Sequence, residues 1–447
     1  MTLRIARILH AGYVFSCGGV EIAFDPVFEN PFSRNCHAFP PVRFDVEAIR
    51  QQRFDAVFIS HYHDDHCSLD SLDLLPRSTP IYLYCLFEEL FDMLRALGFE
   101  QVHQLRTNAP VHVGPFQVTP REALDADVDA MFQIQAEGRN ILNVVDAWIA
   151  PDIVEQLAAL GPWDMVLWPF QTMRELDVLS PSRATPGAPT LPEEFIEQLQ
   201  RLAPRVVVPS SCQFVQESWS WYNHAMFPIT YAQFQREVEQ ALPDAQVLRL
   251  NPSVAVEFAG AALLPAAPLA WVIPVGAQDG DFEYDPTRPV PSTADIARRL
   301  DRLDASEFAA VMQFCEHGLA ERFKAMEPSD SPYFDSARVW RLKVYGHDGA
   351  PASFHYRVCG EHIERIGDDD VPAWLTEVPA AKLYGALARG EALTSMYLRV
   401  NDTVFDPATE AELDEAEVIE DPLIRCLFNG VFGAYQAAQL ARLLRRR

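Results

Sequence analysis

Apolar residues in the first half of the chain fall into short runs rather than long stripes. The runs "RIARILH", "YVFSC" and "VEIAF" are punctuated by Gly12, Gly18 and Gly19, and "DAVFIS", "PIYLYC", "VHQLR" and "FQVTP" follow. Such runs bounded by turn residues predict strands. In "LFEELFDMLRALG" the period changes to helical spacing and ends at a glycine, which predicts an amphipathic helix. A hairpin is predicted in "DAMFQIQAEGRNILNVVDAW", turning at Glu137, Gly138 and Arg139. Helices and strands then alternate through "IVEQLAAL", "MVLWPF", "EEFIEQLQRL", "RVVVP" and "YAQFQREVEQAL", with closing strands to Phe258. Leading strands followed by αβ units predict a layered α/β sandwich with two sheets inside and helices outside. The loop from Gln171 to Leu191 is too long for a plain connection and is a candidate cover for a site.

The second half reads differently. A helical stretch from Thr293 to about Met326 precedes strands in "ARVWRLKVYG", "SFHYRVCG" and "HIERIG", and helices resume in "AAKLYGALARG" and "PLIRCLFNGVFGAYQAAQLARLLRRR". A chain of 447 residues exceeds one ordinary core. The expected division is a larger domain over 1–265, an apolar Pro-rich linker over 266–284, and a smaller α+β domain over 285–447. The uncharged stretch Ala259 to Ala277 nearly has spanning length, but Pro265, Pro268 and Pro274 would break a membrane helix repeatedly.

Charge narrows the partners. A formal net charge of −27 repels phosphate backbones and anionic headgroups, so neither nucleic acid nor a membrane surface is expected. The basic run "RLLRRR" is expected to stay solvated at the end of a last helix. Eight scattered cysteines without a C-x-x-C pair suggest reduced thiols and a cytoplasmic location, and the opening residues carry no signal-peptide pattern.

The chemistry concentrates where "DAVFIS" ends. The next residues, His61-Tyr62-His63-Asp64-Asp65-His66, have the spacing H-x-H-x-D-H, in which residues two apart can face one metal while the adjacent Asp-His pair turns toward a second. Four ligand positions after a buried strand predict a metal site rather than a solvated turn. His10, beside the Gly12 turn, is a candidate support from behind.

This motif, together with the opening "LHAGYVFSCGGVEIAFDPVF" ending in Asp25-Pro26, resembles the metallo-β-lactamase superfamily. The resemblance implies an αββα sandwich with a dinuclear site on one edge, with His61 and His63 on the first metal and Asp65 and His66 on the second. It also implies a bridging carboxylate, for which Asp146 after "NILNVV" is the candidate; Asp65 and Asp146 are the expected catalytic carboxylates. Many relatives place a further histidine some twenty residues before the bridging aspartate. Here "TPREALDADVDAMF" holds none, and Glu122 or Asp125 is the expected replacement. The last histidine would be His224. Gln171, Ser210, Ser211 and Gln213 are candidate contacts to the ligands or the substrate.

Carboxylate substitution shifts such a site toward iron or manganese, although zinc would bind it as well. The order of "VDAMFQIQAEGRNILNVVDAWIAP", "RVVVPSSCQFVQES" and "SMYLRVNDTVFDP…DPLIRCLFNG" is similar to the metallo-β-lactamase part of CMP-N-acetylneuraminate hydroxylases, without their Rieske Cys-His pairs. The ligand order His61, His63, Asp65, His66, Glu122, Asp146, His224 also resembles the di-iron β-hydroxylases of chloramphenicol biosynthesis. The second resemblance implies two metal ions, iron favoured, activating oxygen for a small-molecule substrate, and the missing Rieske pairs imply electrons from an external ferredoxin or reductase. The alternative is a zinc or manganese hydrolase of an ester, lactone, amide or phosphodiester.

Overall fold

Successive residues in the central strands feed two different cores. In Val20–Phe24 and Ala56–Ile59, Ile22, Phe24, Ala56 and Phe58 enter a core between two sheets, whereas Ala23, Val57 and Ile59 enter an outer core with the helices. Burial on both faces explains why residues 22–24 and Ala56–Ile59 read as unbroken apolar runs. The computed structural model describes residues 2–170, 173–212, 214–260, 262–326, 336–405, 420–428 and 433–446.

One sheet has eight strands in the order Ala262–Ala266, Ala255–Ala259, Leu3–Arg7, Tyr13–Cys17, Val20–Phe24, Ala56–Ile59, Ile81–Leu83 and Val102–Gln104. The other has seven, in the order Gln246–Val247, Val206–Pro209, Met165–Trp168, Arg139–Asn143, Ala130–Ala136, Phe116–Glu122 and Val111–Val113. They face each other through aromatic contacts such as Phe24 to Phe132, with ring centroids 5.1 Å apart. Helices Glu88–Ala96, Pro151–Ala159, Glu193–Leu202 and Tyr231–Ala241 cover the outer faces with Leu90, Leu94, Leu157, Phe195 and Phe234. This is the αββα arrangement expected from the sequence. The hairpin turns at Glu137 and Gly138, both with positive φ, as a two-residue loop between twisted strands requires.

The stretch Ala259 to Ala277 holds no helix among its described residues: Ala262–Ala266 forms a sheet edge and Val272–Pro274 pairs with Val42–Phe44. No helix among the described residues is long and apolar enough to cross a membrane.

Downstream lies a five-stranded sheet in the order His362–Ile366, Pro351–Cys359, Arg338–Tyr345, Trp374–Pro379 and Arg399–Val404. Its strand Arg338–Tyr345 alternates, burying Trp340, Leu342 and Val344 against helices that contribute Val311, Leu319, Leu383 and Leu423. The final helix, Ala434–Arg446, returns to the first sandwich and packs on the helices Leu69–Leu72 and Glu88–Ala96. Arg442 pairs there with Asp70, so the basic tail is only partly solvated.

Candidate metal centre

Both sheets carry a parallel portion, and the site gathers at the carboxyl ends of those strands, where the chain leaves the sheet and its polar groups converge. Phe24 leads into Asp25, Ile59 into Ser60 and His61, Asn143 toward Asp146, and Pro209 into Ser210 and Ser211. After His61 the chain turns at once, because the amides of His66 and Cys67 donate to the His63 carbonyl at 3.1 and 2.8 Å.

Two sets of ligand-type atoms result. His61, His63 and Asp129 form one, and His10, Asp65, His66 and Asp146 form the other, the atoms of each lying within 4.8 Å of one another. Asp146 faces both: its Oδ1 lies 3.9 Å from His61 Nε2 and its Oδ2 lies 3.1 Å from His66 Nε2. His10 Nε2 lies 3.0 Å from Asp65 Oδ2 and 3.2 Å from His66 Nε2.

A buried frame aims these groups. Asp25 accepts from the Ser60 amide at 2.8 Å and from its hydroxyl at 2.7 Å, and Ser60 Oγ lies 2.9 Å from His61 Nδ1. Asp25 Oδ2 is also 3.0 Å from His66 Nδ1. One carboxylate thus steadies both imidazoles and leaves each Nε2 turned toward the cluster, the arrangement that orients histidine ligands in metal sites. Arg7, only 1% exposed, donates to the carbonyls of His10, Pro209, Ser210 and Leu250, tying the His10 turn to the far strand. Gly12 permits that turn, since a Cβ there would lie 2.9 Å from the Asp25 carbonyl. Just before Asp146, Val145 has φ 65°, unusual for a β-branched residue. The Asn143 side chain, which accepts from the Val145 amide, and Ser211, which donates to its carbonyl, hold it there.

The electrostatics call for a cation. Burial works against a charged His66, yet Asp146 and Asp65 outweigh it and hold its pKa well above the ordinary imidazole value. Burial together with neighbouring His66 and His63 drives His61 well below that value. Asp146 is held low against its burial by His66 and His61, while burial and Asp146 push Asp129 up to about 7. His66 and Asp146 thus each favour the other's charged form. His61 Nε2 and Asp129 Oδ1 are buried without a hydrogen-bond partner. Buried polar atoms are rarely left so unless something else satisfies them. The donor set and its orphaned atoms fit two metal ions.

His61, His63, Asp65, His66 and Asp146 come together as the sequence suggested, and His10 stands among them instead of behind them. Glu122, Asp125 and His224 do not join. Glu122 ends the strand Phe116–Glu122 with its side chain exposed. Asp125 is exposed too, and its carbonyl accepts from the amides of Val128 and Asp129, turning the chain so that Asp129 is the carboxylate delivered. His224 belongs to the short helix Tyr222–Ala225 and faces Arg288, 2.7 Å away, and the Glu283 carbonyl. Ser210 and Ser211 are buried in the frame: Ser210 Oγ lies 2.9 Å from the Tyr13 hydroxyl and Ser211 bonds Val145. Gln171 and Gln213 lie outside the described residues. Asp129 had one visible signal, its place directly before the buried strand Ala130–Ala136.

Above the cluster opens a cavity of about 340 Å³. His63, Asp65 and Asp146 form its floor, Met173, Glu175 and Phe214 one side, and residues of the downstream region, including Glu391, Leu393 and Tyr435, the other.

Residues 4–211 match the family model described as a beta-lactamase superfamily domain. This part of the chain is thus similar to beta-lactamase superfamily domains. Among solved structures, the chain is similar to Igni18, a metallo hydrolase from Ignicoccus hospitalis, at 19% identity and TM-score 0.41 over 58% of this chain and 99% of that one. It is similar to CmlA, a diiron β-hydroxylase from Streptomyces venezuelae, at 16% identity and TM-score 0.38 over 57% of this chain and 53% of that one. An isothiocyanate hydrolase from Delia radicum gut bacteria aligns at 17% identity and TM-score 0.42 over 59% and 100%. No curated protein matches the chain. The matched stretch thus contributes every residue of the two ligand sets, while the downstream region supplies part of the cavity wall.

Proposed function

We propose that the protein is a dinuclear metalloenzyme that oxidises a compact organic molecule, in which His61, His63 and Asp129 would hold one iron ion and His10, Asp65 and His66 a second, with Asp146 facing both sets. The observation that carries this reading is Asp129: the third group beside His61 and His63 is a carboxylate, so three carboxylates accompany four imidazoles. Hard oxygen donors shift preference toward iron or manganese relative to an all-nitrogen pocket. A second observation supports it. The downstream side of the cavity includes apolar Leu393, Leu427 and Phe428, which suits a compact organic substrate.

When bound, a di-iron pair supplies the activation of dioxygen. Hydroxylation of a C–H bond consumes one dioxygen, two electrons and two protons and yields the alcohol and water, so a separate ferredoxin or reductase is the proposed electron donor. The chain's own groups orient the ligands through Asp25 and Ser60 and hold the substrate between the metal floor and the downstream wall.

The test is metal content and oxygen reactivity. Purified protein should carry close to two irons per chain and, after anaerobic reduction, change its visible spectrum when oxygen is admitted. Absence of iron with no spectral change would sink the oxidative reading. Zinc in its place, with turnover of a simple ester or phosphodiester, would make the protein a hydrolase.

A further inference from the structure

The helix that walls the cavity also grips the ligand loop from outside. Gln436 is 2% exposed, and its Nε2 donates to the carbonyl of Tyr62 at 2.7 Å and to that of Cys67 at 2.8 Å. Those carbonyls flank His63, Asp64, Asp65 and His66, so one amide group, using both of its hydrogens, spans the turn that carries three of the ligands. One turn further along, Gln439, 1% exposed, accepts from the Leu69 amide at 2.8 Å and donates to Ser68 Oγ at 3.0 Å and Asp70 at 3.2 Å. Ser68 and Ser71 in turn donate to half-buried Glu29. The helix start sits hard against Gly390, where a Cβ would fall 2.3 Å from the Tyr435 amide, so the grip has little slack.

Apolar side chains would bury this helix face equally well; Leu443 does so farther along. Long amides at 436 and 439 instead fix distances, because each hydrogen bond has a preferred length and direction. We propose that Gln436 is a positioning residue for the metal centre: by tying Tyr62 and Cys67 to one amide it sets the width of the ligand loop, and hence how tightly the loop holds metal. This rests on the dinuclear reading above.

The experiment uses the full chain, stripped with chelator and titrated with Co²⁺ against a competing chelator while the visible d–d bands are recorded. The variants are Gln436→Ala, Gln436→Glu and Leu443→Ala. Both Gln436 variants should bind about 10–100-fold more weakly, the usual loss when a group supporting a ligand is removed, with altered d–d bands. Leu443→Ala should lower the melting temperature yet bind Co²⁺ like the parent. Gln436→Glu keeps the side-chain size and reports on the lost donor if the alanine variant does not fold. Equal affinity in the parent and the folded Gln436 variants overturns the proposal, as does an equal loss in Leu443→Ala. A parent that binds no Co²⁺ overturns the dinuclear reading and this inference with it.

Discussion

Asp129 sits where the sequence offered several acids within a few residues, and only the turn at Asp125 decides which of them reaches His61 and His63. Replacing it with alanine should remove one metal per chain or weaken that site by at least about tenfold, whereas Glu122→Ala and Asp125→Ala should leave metal content unchanged. Elemental analysis after gel filtration distinguishes these outcomes, and metal lost from Glu122→Ala would refute the assignment. The contrast explains what the sequence made legible. The motif from His61 to His66 is local, so its spacing alone announces ligands. His10 and Asp129 come from distant turns, and their convergence depends on strand register and on backbone angles such as the φ of 48° at His10, which no spacing rule conveys.

Among elements, strands were legible because burial leaves short apolar runs, and the hairpin because Gly138 suits its turn. What escaped was the frame between elements. Arg7 occupies an ordinary-looking position in the strand Leu3–Arg7, and nothing in "RIARILH" indicates that its guanidinium crosses to Pro209, Ser210 and Leu250. Arg7→Met would strand those buried carbonyls and should cost at least about 3 kcal/mol, read as a lower urea midpoint. It should also loosen the His10 turn, so metal affinity should fall alongside stability.

For the whole molecule, the charge balance of the site predicts how stability follows pH. In the metal-free protein, Asp129 and Asp64 are pushed up to about 7 by burial, so the folded state keeps protons that the unfolded chain has released above about pH 4. That stabilisation is lost as pH rises from about 4 through 7. His66, raised above its ordinary value, contributes stability below about pH 6.5 that is lost as pH climbs through its folded value, which is the same sign; His61, driven low by burial, acts oppositely below about pH 6.5 but is outnumbered by these three groups. Asp146 and Asp65 are depressed, and their contribution disappears only below about pH 4. The chelator-treated protein should therefore melt at a lower temperature at pH 8 than at pH 6. Metal replaces the protons, so the loaded protein should reverse that order and melt several degrees above the stripped one at pH 8. Calorimetry at the two pH values, with and without chelator, checks both.

The clasp between Gln436 and the ligand loop also has a place in time. Tyr62 precedes Gln436 by 374 residues, so on the ribosome the loop exists for most of synthesis with nothing across its back. Contacts this far apart form late, after the local strands and turns have assembled. A nascent chain thus presents His61 to His66 as an open, pliable set of ligands, and the tight form of the centre arises only when the last helix docks.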